Sequence, residues 1–178
     1  MKALVVYESM YGNTARIGEA ITASLRAQGL EVTSGPISKI EPAQAREVDL
    51  LVAGGPTHVH GMSSTKSRKT AVDDADNTYP EPTGAPGLRT WLKELSPGGG
   101  RLAAAFDTRI DKSILLTGSA AKGIARRLQG NGFRLVLEPE CFLVSTDNRL
   151  IDGETEHATA WGIRIAESAS AGATRGAS

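Results

Sequence analysis

An apolar run near the N terminus is followed by six residues whose types suit anion binding. Their glycine permits a tight turn, their hydroxyls can donate hydrogen bonds, and a helix starting near Asn13 would present unpaired N–H groups. A helix N terminus carries about half a positive charge, so it can hold a phosphate without Lys or Arg. An ordinary capped turn uses the same residue types. The six residues are Ser9, Met10, Tyr11, Gly12, Asn13 and Thr14.

Two more polar segments follow apolar runs further along the chain. One contains Gly54, Gly55, Pro56, Thr57, His58, Val59, His60 and Gly61, and the other contains Asp107, Thr108 and Arg109. The two imidazoles could suggest a metal, because neutral imidazole is a common ligand. Alternate residues of a strand point to opposite faces, however, and no third cluster with Cys, Asp or Glu spacing is visible. No metal site is therefore predicted.

The apolar runs are the elements that must position these segments. Short runs rich in β-branched residues predict strands at residues 3–7, 30–34, 48–53 and 102–106, and a fifth strand in two pieces, 133–137 and 141–144, broken around Pro139. Apolar residues at helical spacing predict helices at residues 13–29, 88–95, 120–128 and 154–169. Strands that alternate with helices predict an α/β fold in three layers, with a doubly wound five-stranded parallel sheet between helices.

In such a sheet, ligands bind in a crevice at the carboxyl ends of the strands. The three polar segments all follow strands, so they are predicted to meet at this edge. The first segment lacks the Lys of a nucleoside-triphosphate loop, and it also lacks the Gly-x-Gly-x-x-Gly dinucleotide fingerprint. An anion site of another kind is predicted.

Composition narrows the class of protein. The chain has 178 residues, of which 40% are hydrophobic, and its 20 Lys and Arg balance its 20 Asp and Glu. This length and apolar content suit one globular domain, and zero net charge argues against a nucleic-acid binder. Cys141 is the single cysteine, which fits a reducing compartment. No apolar run is long enough for a signal peptide or a membrane helix, so a cytoplasmic protein is predicted.

The sequence resembles the flavodoxin family at residues 5–14, which look like that family's phosphate loop, and at residues 54–61, which look like its second flavin loop. A looser match covers the fourth strand, the third polar segment and the run to Trp161. The resemblance implies a flavodoxin-like fold with strand order 2-1-3-4-5 and non-covalently bound FMN. It puts residues 9–14 around the phosphate, and residues 56–61 and 107–109 beside the isoalloxazine ring.

Residues 1–168 are predicted to form this FMN-binding domain, and residues 169–178 a flexible tail. Residues 63–87 show almost no apolar periodicity and are predicted to form a long surface loop that covers the flavin side of the molecule. Within this loop Tyr79 could stack on the ring or only pack. Lys66, Arg68 and Lys69 could be a solvated charged stretch or could meet the phosphate of a nicotinamide cofactor.

Two functions are open at this point. The resemblance implies a redox protein that transfers electrons through FMN to a partner protein or to a small-molecule acceptor. The alternative is a quinone-type oxidoreductase that uses the same FMN and takes electrons from NADH or NADPH. Electron carriers of this family are typically strongly acidic, with aromatic rings on the flavin. The zero net charge and the lack of Trp and Tyr in both ring-flanking segments favour the enzyme, whereas the short length favours the carrier.

Overall fold

The computed structural model describes residues 1–58, 61–73, 77, 86–113 and 117–175. Its strands are β1 (Lys2–Tyr7), β2 (Glu31–Pro36), β3 (Leu50–His58), β4 (Gly61–Met62), β5 (Leu102–Ile110), β6 (Arg134–Leu135) and β7 (Glu140–Val144). Its α-helices are α1 (Asn13–Ala27), α2 (Thr65–Val72), α3 (Leu88–Lys93), α4 (Ala120–Gly130) and α5 (Glu154–Arg175), and Pro42–Arg46 forms a 3₁₀ turn.

The strands form one sheet in the order β2-β1-β3-β5, and both β6 and β7 lie beside β5. All of these pairs are parallel, whereas β4 folds back on β3 as an antiparallel hairpin. The predicted order 2-1-3-4-5 is confirmed, because β6 and β7 share the fifth position as two pieces of one strand. The break lies at residues 136–139, around the proline that cannot donate to a ladder.

The sheet is buried on both faces, which explains its nearly continuous apolar strands. In β1, Val5 packs in a core with residues of α1 and α5, whereas its neighbour Leu4 packs in a second core with residues of α3 and α4. Trp161 of α5 and Trp91 of α3 are fully buried in these two cores. The fold is therefore the predicted three-layer, doubly wound α/β arrangement.

Two strands run further than predicted. The sequence predicts ends at residues 53 and 106, but β3 continues to His58 and β5 to Ile110. The extensions pair with each other, Gly55 opposite Asp107 and Pro56 opposite Thr108, so backbone hydrogen bonding holds these polar residues in strands. Gly54 is required there because a Cβ would lie 2.1 Å from the ring of Phe106.

The prediction of one unstructured loop over residues 63–87 is wrong in its first part, where α2 forms. This helix has few apolar residues, so no apolar periodicity in the sequence indicates it. Its N terminus is a capping box, in which the Ser64 hydroxyl accepts from Ser67 N and the Ser67 hydroxyl accepts from Ser64 N at 2.8 Å. The cap satisfies helix-end donors without any apolar stripe.

The last helix also exceeds its prediction. Residues 169–178 were expected to be a flexible tail, but α5 continues to Arg175. Ala169 is fully buried in the core, so packing holds the helix at the point where the tail was expected to begin. The helix therefore does not end at the last large apolar residue.

Candidate functional site

The first polar segment forms the turn between β1 and α1. Gly12 is the N-cap of α1 and has a left-handed backbone with φ 82°, and as a glycine it makes no side-chain cap. The Ser9 hydroxyl accepts from Ala15 N at 3.2 Å, while the first helical N–H groups have no partner within a helix by construction. The turn thus leaves the positive end of α1 open to an anion.

A cleft with about 430 Å³ of empty space, its open mouth included, lies at the carboxyl edge of the sheet. Residues from all three polar segments line it, namely Met10, Tyr11, Asn13, Thr14, Pro56, Thr57, His58, Thr108 and Arg109. The sequence prediction that these segments meet is confirmed.

Three lining residues were not predicted, and they are Ile110, Val144 and Asn148. Val144 ends β7, and Asn148 lies in the following turn with a left-handed φ of 55°. The side-chain amide of Asn13 donates to the carbonyl of Asn148 at 2.7 Å, which fixes this turn beside the start of α1. The rule that ligands lie beyond strand ends would have found this turn, had it been applied to the fifth strand.

Hydrogen bonds join the walls of the cleft to each other. The hydroxyl oxygens of Thr14 and Thr108 are 2.7 Å apart in a buried pair, which links the first segment to the third. Thr57 Oγ1 accepts from Ala120 N at 2.8 Å and donates to the Asp107 carboxylate at 2.9 Å. The cleft is therefore held by contacts between elements far apart in sequence.

Among the described residues that line the cleft, Arg109 is the one with a positively charged side chain. Arg109 Nη1 donates to the carbonyls of Ile110 at 3.3 Å and Lys112 at 2.6 Å, and no ion pair in the described chain involves Arg109. Burial lowers the pKa of His58, so its imidazole is neutral near neutral pH. Arg109 Nε and His58 Nε2 are buried and have no hydrogen-bond partner in the described part of the chain.

The side chain of Asp107, which was predicted to lie beside the ring, is not among those that line the cleft. Its side chain is 0% exposed and points to the N terminus of α4, where Oδ2 accepts from Ser119 Oγ and Ala121 N, both at 2.8 Å. The carboxylate therefore completes a helix cap and does not line the cleft. Neighbouring Cys141 is affected, because burial and then the charge of Asp107 raise the pKa of its thiol to about 11.

The remaining predicted residues have other positions. Ser9 and Gly12 shape the turn without lining the cleft, and Gly61 lies in β4, opposite His58. Val59, His60 and Tyr79 lie outside the described residues. Of the three basic residues considered for a nicotinamide phosphate, Arg68 is turned inward, with Nη1 3.7 Å from the carboxylate of buried Glu8. The described residues hold no group of three or more His, Cys, Asp or Glu suited to a metal.

The comparisons with known proteins agree with this architecture. The flavodoxin family model matches residues 5–100, more than half of the chain. A flavodoxin from the domain Archaea has 22% identity and a TM-score of 0.67, covering 96% of this chain and 99% of its own. Oxidised flavodoxin 1 from Bacillus cereus has 18% identity and a TM-score of 0.67, covering 94% and 98%. Rubredoxin:oxygen oxidoreductase from Desulfovibrio gigas has 18% identity and a TM-score of 0.62, and the match covers 96% of this chain but 36% of that one.

Fold and cleft define a doubly wound α/β protein with an anion-compatible ligand site at the carboxyl edge of its sheet. The chain belongs to the flavodoxin family. It is an FMN-binding protein that transfers electrons through its flavin. No curated protein sequence matches the chain. None of the helices in the described ranges is long and apolar enough to cross a membrane.

The residues present fit FMN. The start of α1 offers backbone donors for a phosphate, and Arg109 Nε is a buried donor with no partner among the described residues. No Asp or Glu is among the described lining residues, so an anionic ligand meets no like charge in the wall.

Proposed function

We propose that this protein carries electrons between redox partners with FMN held non-covalently in the cleft, its phosphate at residues 9–14 and its ring between residues 56–61 and 107–109. Within these ranges Asp107 acts through the α4 cap, not by contact. The observation that carries the proposal is the open N terminus of α1 at one end of a cleft whose other walls are the ends of β3 and β5.

The chain's own residues have distinct tasks in this proposal. Backbone N–H groups at the start of α1 bind the phosphate, and Gly12 allows the turn that exposes them. Thr14 and Thr108 hold the first and third walls together through their hydroxyls. Arg109 supplies a positive charge in a partly enclosed site, where it favours the reduced, more negative flavin. The flavin supplies the electron chemistry.

The placement of the phosphate is tested by comparing FMN with riboflavin, which lacks that group. FMN should bind at least about tenfold more tightly, since hydrogen bonds to a charged group contribute roughly 1.5–3 kcal/mol each. Thr14→Val should weaken FMN binding by a similar factor in fluorescence titrations. Thr22→Val is the matched control, because Thr22 is also buried in α1 but its hydroxyl donates to Gly18 O within the helix. Equal affinities for FMN and riboflavin would refute the placement.

The carrier is separated from the NADH- or NADPH-dependent enzyme by anaerobic mixing. A carrier should be reduced slowly by both nucleotides and quickly by a one-electron donor protein. Rapid, saturable flavin bleaching with either nucleotide, followed by quinone turnover, would establish the enzyme. No feature of the described residues favours the enzyme, and Arg68 is already paired with Glu8. A cytoplasmic location belongs to the proposal, supported by the free thiol of Cys141, and cell fractionation tests it.

A further inference from the structure

The charges of the helices are unevenly distributed in the described part of this chain. Three Lys or Arg residues lie in α2, two in α3 and three in α4, and none of these helices contains Asp or Glu. By contrast, α1 carries one Glu and two Arg, and α5 carries three Glu and two Arg. The excess positive charge is therefore on the helices packed around the β4 hairpin.

Side-chain contacts bring the three basic helices together. Arg89 of α3 donates to the carbonyls of Met62 at 2.7 Å and Ser63 at 2.9 Å, directly before α2. A Cβ on Gly123 of α4 would lie 3.6 Å from Met62 Cε. Burial lowers the pKa of Arg127, and the charges of Arg89 and Arg126 lower it further. Guanidinium groups from α3 and α4 thus lie close enough to repel one another.

We call six exposed or half-exposed cations of these helices the basic face, namely Lys66, Lys69, Arg89, Lys122, Arg126 and Arg127. Asp73 and Glu94 follow α2 and α3 as exposed acids at the helix ends. The basic face adjoins the cleft, because β4 pairs with Thr57 and His58 of its wall. A partner seated on this face would therefore stand next to the flavin.

We propose that the basic face is the docking surface for an acidic redox protein, an inference that rests on the proposed electron-carrier function. Complementary charge steers association and orients the partner over the cleft mouth. Ile110 is one of two exposed large apolar side chains in the described residues, and it lines that same cleft. An apolar contact beside a ring of charge is the usual anatomy of a protein interface.

Other anionic occupants fit the face less well. A basic helix that binds membranes also presents exposed apolar side chains, whereas the exposed large apolar residues of the described chain are Met1 and Ile110, neither in α2, α3 or α4. A nucleotide needs an enclosed site, and none of the six cations lines the cleft. An acidic protein therefore fits the basic face best, and anionic vesicles test the membrane alternative.

The test uses the flavin-bound protein and an acidic 2Fe–2S ferredoxin as the probe. Calorimetry with both proteins oxidised measures binding without electron transfer. Stopped-flow mixing with reduced ferredoxin measures the reaction, in which one Fe(II) becomes Fe(III) while the flavin gains one electron and a proton from solvent. The variant Lys122→Glu/Arg126→Glu reverses two exposed charges. Its control, Lys2→Glu/Arg134→Glu, makes the same change in net charge at the starts of β1 and β6, the opposite edge of the sheet.

Charge reversal on α4 should lower both the affinity and the bimolecular rate at least about tenfold at low salt, and added salt should erase the difference. The control variant should stay within about twofold of the parent chain. Equal effects of the two variants, tighter binding to a basic c-type cytochrome, or binding to phosphatidylserine vesicles but not to ferredoxin would each overturn the proposal. FMN titration of the parent chain and of both variants separates the two hypotheses. If the parent chain does not bind FMN, the proposed function is refuted, and this result does not bear on the basic face.

Discussion

The buried carboxylate of Asp107 offers a stability measurement whose magnitude can be derived from its contacts. Its Oδ2 accepts hydrogen bonds from Thr57 Oγ1 at 2.9 Å and from Ser119 Oγ and Ala121 N at 2.8 Å. Asp107→Asn keeps the shape but removes the charge. Three charge-assisted bonds, worth roughly 1.5–3 kcal/mol each, become neutral bonds worth roughly 0.5–1.5 kcal/mol. The favourable interaction with the N terminus of α4 is lost as well.

The neutral Asn side chain avoids the cost of burying a charge, and this offsets part of the loss. The expected net destabilisation is therefore about 2–3 kcal/mol. For a chain of this size that corresponds to a fall in Tm of roughly 5–10 °C. Thermal unfolding followed by circular dichroism measures the change, with exposed Asp111→Asn as the control. A Tm within about 2 °C of the control, or an increase, would show that the carboxylate does not stabilise α4 and the wall attached through Thr57.

Two further predictions concern the cleft and its neighbour. Arg109→Leu should lower the two-electron reduction potential of bound FMN by tens of millivolts, because it removes a positive charge from the cleft wall. Arg109→Lys should retain most of the parent potential in spectroelectrochemistry, and an unchanged potential in the Leu variant would show that the guanidinium does not act on the ring. Cys141, with its thiol pKa raised to about 11 mainly by burial, should react slowly with iodoacetamide at pH 8, and the rate should still be rising at pH 10. A plateau near pH 9 would contradict the raised pKa.

Much of the fold was predictable because its local signals agree with one another. The apolar runs of a sheet buried on both faces stand out, and Gly12, Ser119 and Gly132 mark helix ends by turn or capping chemistry. The convergence of three polar segments followed from topology alone, since parallel strands bring their carboxyl ends to one edge. Helix α2 was missed because a capping box and an inward ion pair of Arg68 with Glu8 stabilise it, and neither gives an apolar period.

The sequence by itself determined most of the elements, their order and the edge at which the site forms. Tertiary structure decided what individual side chains do there. The family resemblance implied one task for Asp107 and Arg109, yet Asp107 caps α4 while Arg109 lines the cleft. Their roles depend on which helix packs above each strand, and this is set by contacts between residues distant in sequence. The distribution of charge also depends on tertiary structure. Each consecutive third of the sequence is nearly neutral, and the packing of α2, α3 and α4 around β4 brings their cations to one face.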